Sequence, residues 1–171
     1  AQGDRDASKQ YALQAAAQSR EGLSLARGLA SLLVRASETQ EGIDVLETVR
    51  QSPPEDIELV DELLLHRDLG YYNRLLNNLD ASVEHYREVM SALAQQDSPL
   101  TEQDRDEILQ DAGKTYEEMG KVFLEAKLAD LAVAAFDEAG KFNEARPGIH
   151  SFNLATVYKE TGRPEEGLQE L

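Results

Sequence analysis

The fold is indicated most clearly by the stretch NLATVYKETGRPEEGL, residues 153–168. Its bulky residues Leu154 and Tyr158 lie four positions apart, as on one face of a helix, and the small Ala155 lets a second helix approach. Gly162 suits the left-handed conformation of a tight turn between helices. The stretch therefore predicts two short antiparallel helices, which cannot bury their apolar faces alone and must stack on neighbours.

The same arrangement recurs along the chain, with units starting at Leu23, Leu63, Gly113 and Gly148. It resembles the tetratricopeptide repeat, whose unit of about 34 residues has small residues at the eighth and twentieth places and a turn residue at the fifteenth. The residues that carry the resemblance at these three places are Ala30, Gly42, Gly70, Asn77, Ser82, Gly120, Ala132, Ala155, Gly162 and Gly167.

The match has departures. Asn73 and Ser151 stand where bulky residues are expected, and Lys127 stands where the turn glycine is expected. The intervals between unit starts are 40, 50 and 35 residues (63 − 23, 113 − 63 and 148 − 113), of which only the last is near the standard length. The two longer intervals predict extended helices around residues 54–62 and 97–109.

The resemblance covers nearly the whole chain and implies an all-α, right-handed α-solenoid of antiparallel helix pairs, a tetratricopeptide-like superhelix. We expect a single domain over 1–171, with repeats over 23–62, 63–112 (long helices) and 113–147, and a truncated repeat over 148–171. Residues 1–22 form either a half repeat, with Gly3 at its turn position, or a capping helix. The repeat pattern therefore predicts that the chain is truncated at both ends. No strands are expected, and the predicted helices span 4–19, 23–36, 40–51, 56–76, 79–95, 102–125, 129–142, 148–161 and 164–171.

Composition narrows the function. Among 171 residues, 41 % are hydrophobic and none is Cys, so a folded, soluble protein without disulfides or thiolate metal sites is expected. The formal net charge of −16 opposes contact with nucleic acid or anionic membranes. No membrane span or signal sequence is visible. A cytoplasmic location is slightly favoured, although the compartment stays open.

No motif of catalysis stands out, so the chain is not expected to be an enzyme or to hold a cofactor. His66, His85 and His150 are far apart in sequence, with His66 at a core position and the other two at solvated ones. The acidic residues from Asp97 to Asp111 lack the glycine and the final glutamate of a calcium loop. They are better explained as a solvated helix N-terminus.

In tetratricopeptide solenoids, the first helix of each repeat lines a concave groove. The positions that commonly face this groove are rich in basic residues here, while their acids number only three. We therefore predict that the groove binds a protein or peptide, in particular an acidic segment or a terminal carboxylate. The predicted groove residues are Arg27, Arg35, Arg67, Tyr71, Arg74, Lys114, Lys121, Phe152 and Lys159.

Several alternatives stay open. The groove bases can instead neutralise neighbouring acids, as Arg67 with Asp68. The segment can be a regulatory or oligomerising part of a larger signalling enzyme. The carboxylate clamp that related domains use for chaperone tails does not match, and acidity disfavours RNA recognition. Self-association through the exposed terminal helix, with Leu168 and Leu171 uncovered, is also compatible with a truncated array.

Overall fold

The structure, a computed structural model, describes residues 2–142 and 147–169. Within these ranges all regular elements are α-helices, and no strand is present. The helices are α1 (Gln2–Ala16), α2 (Arg20–Arg35), α3 (Thr39–Gln51), α4 (Leu59–Leu75), α5 (Leu79–Ala94), α6 (Glu102–Leu109), α7 (Ala112–Glu125), α8 (Ala129–Phe142), α9 (Pro147–Glu160) and α10 (Pro164–Gly167). The break predicted between the helices 129–142 and 148–161 falls largely on residues 143–146, which lie outside the described residues, as does Leu171 with its predicted exposure.

Four helix-to-helix turns are built in the same way. After α7, the backbone N–H of Leu128 donates to the carbonyl of Phe123 at 2.8 Å, and the N–H of Lys127 donates to Leu124 at 2.9 Å. This pair of bonds is the Schellman ending, which places one residue in the left-handed region. The corresponding residues have φ of 57–77° and are Ser37, Asn77, Lys127 and Gly162. The fifteenth place therefore marks the turn even where lysine occupies it.

In two of the helix pairs, the small residue at the eighth place of the repeat is required sterically. A Cβ added at Gly70 would lie 2.6 Å from the ring of Tyr86, and one added at Gly120 would lie 2.7 Å from the ring of Phe136. Contacts this short exclude a side chain, so each glycine admits the aromatic ring of its partner helix. Ser82, at the twentieth place, donates its hydroxyl to the Gly70 carbonyl at 2.8 Å.

The described residues fall into two compact units. Unit 1 extends to Ala92, and unit 2 begins at Leu93. Consecutive helices pack on one another in both units. The core of unit 1 includes Leu23, Ala30, Val45, Leu46, Leu65 and Leu69; buried residues of unit 2 include Ile108, Met119, Val122, Phe123, Phe136 and Val157. The single-domain assignment stays a prediction.

The prediction of extended helices is wrong in the long intervals. Residues 102–125 form α6 and α7 rather than one helix, because Gln110 adopts φ of 56° and Asp111 caps a new helix by accepting the N–H of Lys114 at 3.2 Å. Similarly, α4 begins only at Leu59, where Asp61 accepts the N–H of Glu58 at 3.1 Å in a capping box. At the start of the chain, α1 already includes Gly3, which is therefore helical and not a turn residue.

Candidate functional site

Helices α2 and α4 of unit 1 are joined side by side by a ladder of polar contacts. Arg20 contacts Asp61 with its Nε 2.6 Å from Oδ2, and Arg27 donates from Nε to Oδ2 of Asp68 at 2.9 Å. Both pairs are 41 positions apart, which means that the two helices run parallel in a fixed register.

Ser31 and Tyr72 stand at the same interval as these two pairs (72 − 31), and Tyr72 is buried. Burial raises the pKa of Tyr72, and the neighbouring Ser31 opposes that rise. The tyrosine is therefore uncharged at neutral pH, so a neutral pair follows the two ion pairs along the helices.

A single carboxylate is shared by two guanidinium groups on this surface. Besides Arg27, Asp68 accepts hydrogen bonds from Nε of Arg67 at 2.9 Å and from its Nη2 at 2.6 Å. The three side chains are only partly accessible, with exposed fractions of 17, 11 and 13 % for Arg27, Arg67 and Asp68. Two guanidinium groups therefore converge on one carboxylate at this surface.

One helical turn beyond Arg67, Tyr71 exposes 45 % of its surface, and the half-buried Arg74 follows it. We call the set formed by Arg27, Arg67, Asp68, Tyr71 and Arg74 the α2–α4 surface. It contains four of the nine predicted groove residues, together with Asp68, which in the alternative interpretation neutralises Arg67. Arg35 is exposed near the end of α2. A role for any of them in binding stays a prediction.

The four remaining predicted residues lie in unit 2. Lys114 and Lys121 are exposed on α7, and Nζ of Lys121 is 3.9 Å from Glu117 and 4.0 Å from Glu118. On α9, Lys159 is exposed and Phe152 exposes 66 % of its surface. Exposed ion pairs such as those of Lys121 contribute little to stability, and a role of these four residues in binding stays a prediction.

Two histidines that sequence analysis treated as separate lie in contact. Nδ1 of His66 and Nδ1 of His85 are 3.1 Å apart, and Nε2 of His85 is 3.3 Å from Glu47, which also accepts a hydrogen bond from Arg50. Burial lowers the pKa of both histidines. The pKa of His66 is lowered further by the charge that His85 carries when protonated, and that of His85 by Arg50.

The expectation that His85 is solvated is therefore wrong: it is 3 % exposed. It occupies the same place of a second helix as Val45 and Ala135, which are also buried. The alignment of His85 with Val45 and Ala135 is the feature of the sequence from which its burial could have been predicted. Among the described residues, no group of three or more His, Cys, Asp or Glu side chains could hold a metal ion.

The antiparallel pairs with their repeated turns and small-residue contacts define the class: a tetratricopeptide-like α-solenoid. Two crystal structures of the protein MamA share this fold, each with a TM-score of 0.58. One is 12 % identical and aligns over 86 % of this chain and 68 % of MamA; the other is 11 % identical and aligns over 86 and 73 %. This likeness confirms the predicted fold class.

Comparisons of sequence alone add nothing to the likeness in fold. No protein-family model matches the chain, and no curated protein matches its sequence. None of the described helices combines the length and the apolar character that crossing a membrane requires.

Proposed function

We propose that this protein is a non-catalytic interaction scaffold and that its α2–α4 surface binds an acidic segment of a protein partner. The tetratricopeptide-like fold supports the general role, since stacked helix pairs create extended binding surfaces. The observation that carries the finer proposal is the convergence of two guanidinium groups, those of Arg27 and Arg67, on the one partly accessible carboxylate of Asp68.

The geometry suits a carboxylate ligand. A guanidinium presents five N–H donors in a planar fork and can hold a carboxylate through two parallel hydrogen bonds. The ladder between α2 and α4 keeps Arg27 and Arg67 in a fixed position before a ligand arrives, which lowers the entropy lost on binding. The exposed ring of Tyr71 supplies apolar contact area beside these charges.

The proposal is tested with a fluorescently labelled, glutamate-rich peptide that has a free terminal carboxylate, measured by anisotropy. A glutamine-rich peptide with an amidated end serves as the ligand control. We expect the wild type to bind only the acidic peptide and to bind it more weakly as salt is raised. Replacing both Arg67→Glu and Arg74→Glu should abolish binding.

Arg87→Glu/Lys141→Glu is the matched protein control, because both residues are exposed on second helices, α5 and α8, and the double variant undergoes the same total change of charge. Tyr71→Ala tests the surface without altering the ion pairs and should weaken binding while the melting temperature is kept. Unchanged affinity in a folded Arg67→Glu/Arg74→Glu protein would exclude this surface. The sequence-based alternative, a regulatory segment of a larger signalling enzyme, stays a prediction.

A further inference from the structure

Helix α2 carries a second, distinct face that is apolar at its centre and charged at its ends. Glu21, Leu25, Gly28, Leu32 and Arg35 recur at intervals of four and three residues and fall within an arc of about 80°. All five are exposed, with Leu25 at 46 % and Leu32 at 62 %, and a Cβ added at Gly28 would meet no atom within 4 Å. We call this set the α2 stripe.

The repeats show that this is a face for helix packing. A shift of 40 residues, which aligns Ala30 with Gly70, carries Leu25 onto Leu65 and Leu32 onto Tyr72. In α4 these two residues are buried, and both belong to the same core cluster as Leu23, Ala26 and Ala30 of α2. The α4 face equivalent to the stripe is therefore covered by a parallel helix, whereas the stripe itself is open.

A cavity adjoins the stripe at Leu32. It has a volume of about 280 Å³, and its apolar floor is formed by Leu29, Leu32 and Leu33. Lys9 of α1 and Glu41 of α3 stand among the polar residues around it. The cavity has room for a leucine side chain that approaches along α2, so it can receive a residue from a packed helix.

From the order of residues in the stripe we infer that it binds the stripe of a second copy of this chain, with the two α2 helices antiparallel about Gly28. The spacing reads nearly the same in both directions, and the ends have opposite charge. Antiparallel pairing therefore places Glu21 opposite Arg35 of the second copy and Leu25 opposite Leu32 of the second copy. Each contact occurs twice, as a twofold interface requires.

Gly28 allows the two α2 helices to approach closely. Without side chains at the crossing point, the two backbones approach and the flanking leucines reach across, with Leu25 entering the cavity beside Leu32 of the second copy. The contact area is small for an interface, so the association is weak and depends on protein concentration. Net charge of −16 on each copy opposes it, and screening by salt at moderate ionic strength relieves that repulsion.

A charge exchange tests the pairing. Sedimentation equilibrium from micromolar to millimolar protein should show a monomer–dimer equilibrium for the wild type. Glu21→Arg alone and Arg35→Glu alone each place like charges opposite one another, and each should weaken the association constant about tenfold or more. The double variant Glu21→Arg/Arg35→Glu restores opposite charges across the interface and should regain dimerisation. A monomer at every concentration, or a dimer indifferent to these changes, overturns the proposal.

Gly28 gives a second test that does not endanger folding. Gly28→Arg has open space in the single chain and lowers the net negative charge, yet it should abolish the dimer because two arginines then meet at the crossing point. The chain has no Cys, so Gly28→Cys introduces one thiol, which should form a disulfide between copies under mild oxidation.

Ser91→Cys, exposed on α5, is the matched control and should not cross-link under the same conditions. Equal cross-linking of both cysteine variants overturns the proposed register. Apart from the controls, these variants alter only α2, whereas those of the peptide-binding test alter α4, so the two proposals can fail separately.

Discussion

Units 1 and 2 contain the same steric arrangement in different chemical surroundings. In unit 1, Gly70 admits the ring of Tyr86; in unit 2, Gly120 admits the ring of Phe136. Around that shared contact, unit 1 places ion pairs and a histidine pair between its helices. The buried residues around the contact in unit 2 are mainly apolar, with Met119 and Val122 fully buried beside Phe123. The repeat geometry is therefore compatible with two kinds of stabilisation.

The position of a residue in the repeat therefore determines its burial, whereas its chemistry determines which change of conditions or sequence destabilises the contact. Val45, His85 and Ala135 share one place and are all buried. Only His85 brings a group that titrates near neutral pH. Unit 1 should accordingly respond to pH and to loss of a charge partner, and unit 2 should respond mainly to loss of packed volume.

The largest effect is expected for a change of volume in unit 2. Phe136→Ala empties the space against Gly120 and should lower the free energy of unfolding by about 3–5 kcal/mol. Hydrogen exchange followed by mass spectrometry should locate the loss of protection in α7 and α8. Phe152→Ala removes an exposed ring and should change little. Equal losses in the two variants would contradict the importance of the glycine–ring contact.

The second prediction concerns the charge ladder of unit 1. Asp68→Asn removes the carboxylate shared by Arg27 and Arg67 and leaves both guanidinium groups near one another. Removing one partner of a buried pair costs about 3–5 kcal/mol, and the residual exposure of these side chains reduces the expected loss to about 2–3 kcal/mol.

Chemical denaturation measures this loss, and Glu138→Gln, in the exposed pair with Lys141, is its control and should be nearly neutral. A matching decrease for Glu138→Gln would show that general charge, and not the ladder, accounts for the effect.

The third prediction separates the units by pH. The pKa of His66 and of His85 is lowered on folding, so the unfolded chain binds more protons once the pH falls below about 6.5. Stability of unit 1 should then fall with pH, by at most about 1.4 kcal/mol per pH unit for each proton. Nearby carboxylates, Glu62 and Glu88 beside His66 and Glu47 and Glu84 beside His85, moderate the change.

Unit 2 is expected to keep its stability in the same pH range. Burial raises the pKa of Tyr116 to about 12, so this residue stays uncharged. Hydrogen exchange between pH 7 and 5.5, corrected for the intrinsic rate, should show loss of protection chiefly in α4 and α5. The double variant His66→Gln/His85→Gln should flatten the profile of these helices. A profile unchanged by that variant would assign the pH dependence to other groups.

Much of the fold was predictable because the repeat pattern is local. The turn places at Asn77 and Gly162, and the small residues at Gly70 and Gly120, mark the helix pairs directly in the sequence. The break at Gln110 was not predictable from periodicity, since it depends on the Asp111 cap competing with continuation of the helix.

The site was less accessible to sequence reasoning. Arg27 and Arg67 were predicted as groove residues, but the contact of Arg27 with their common partner Asp68 was not. That contact joins residues 41 positions apart, whereas the starts of the two repeats are 40 positions apart. Contact between His66 and His85 likewise depends on how α4 packs against α5, which a pattern along one helix does not specify.

The smallest effect, and the finest comparison of the units, concerns the four turns. Lys127 of unit 2 holds φ of 59° although lysine has a Cβ, which costs about 1–2 kcal/mol in the left-handed region. Lys127→Gly removes this strain but adds about 0.5–1 kcal/mol of chain entropy to the unfolded state, so a net gain of about 0.5 kcal/mol is expected. Asn77→Gly in unit 1 should gain less, because asparagine tolerates this conformation. Thermal unfolding of both variants measures the difference, and a loss of stability in Lys127→Gly would mean that the lysine side chain makes contacts that outweigh its backbone strain.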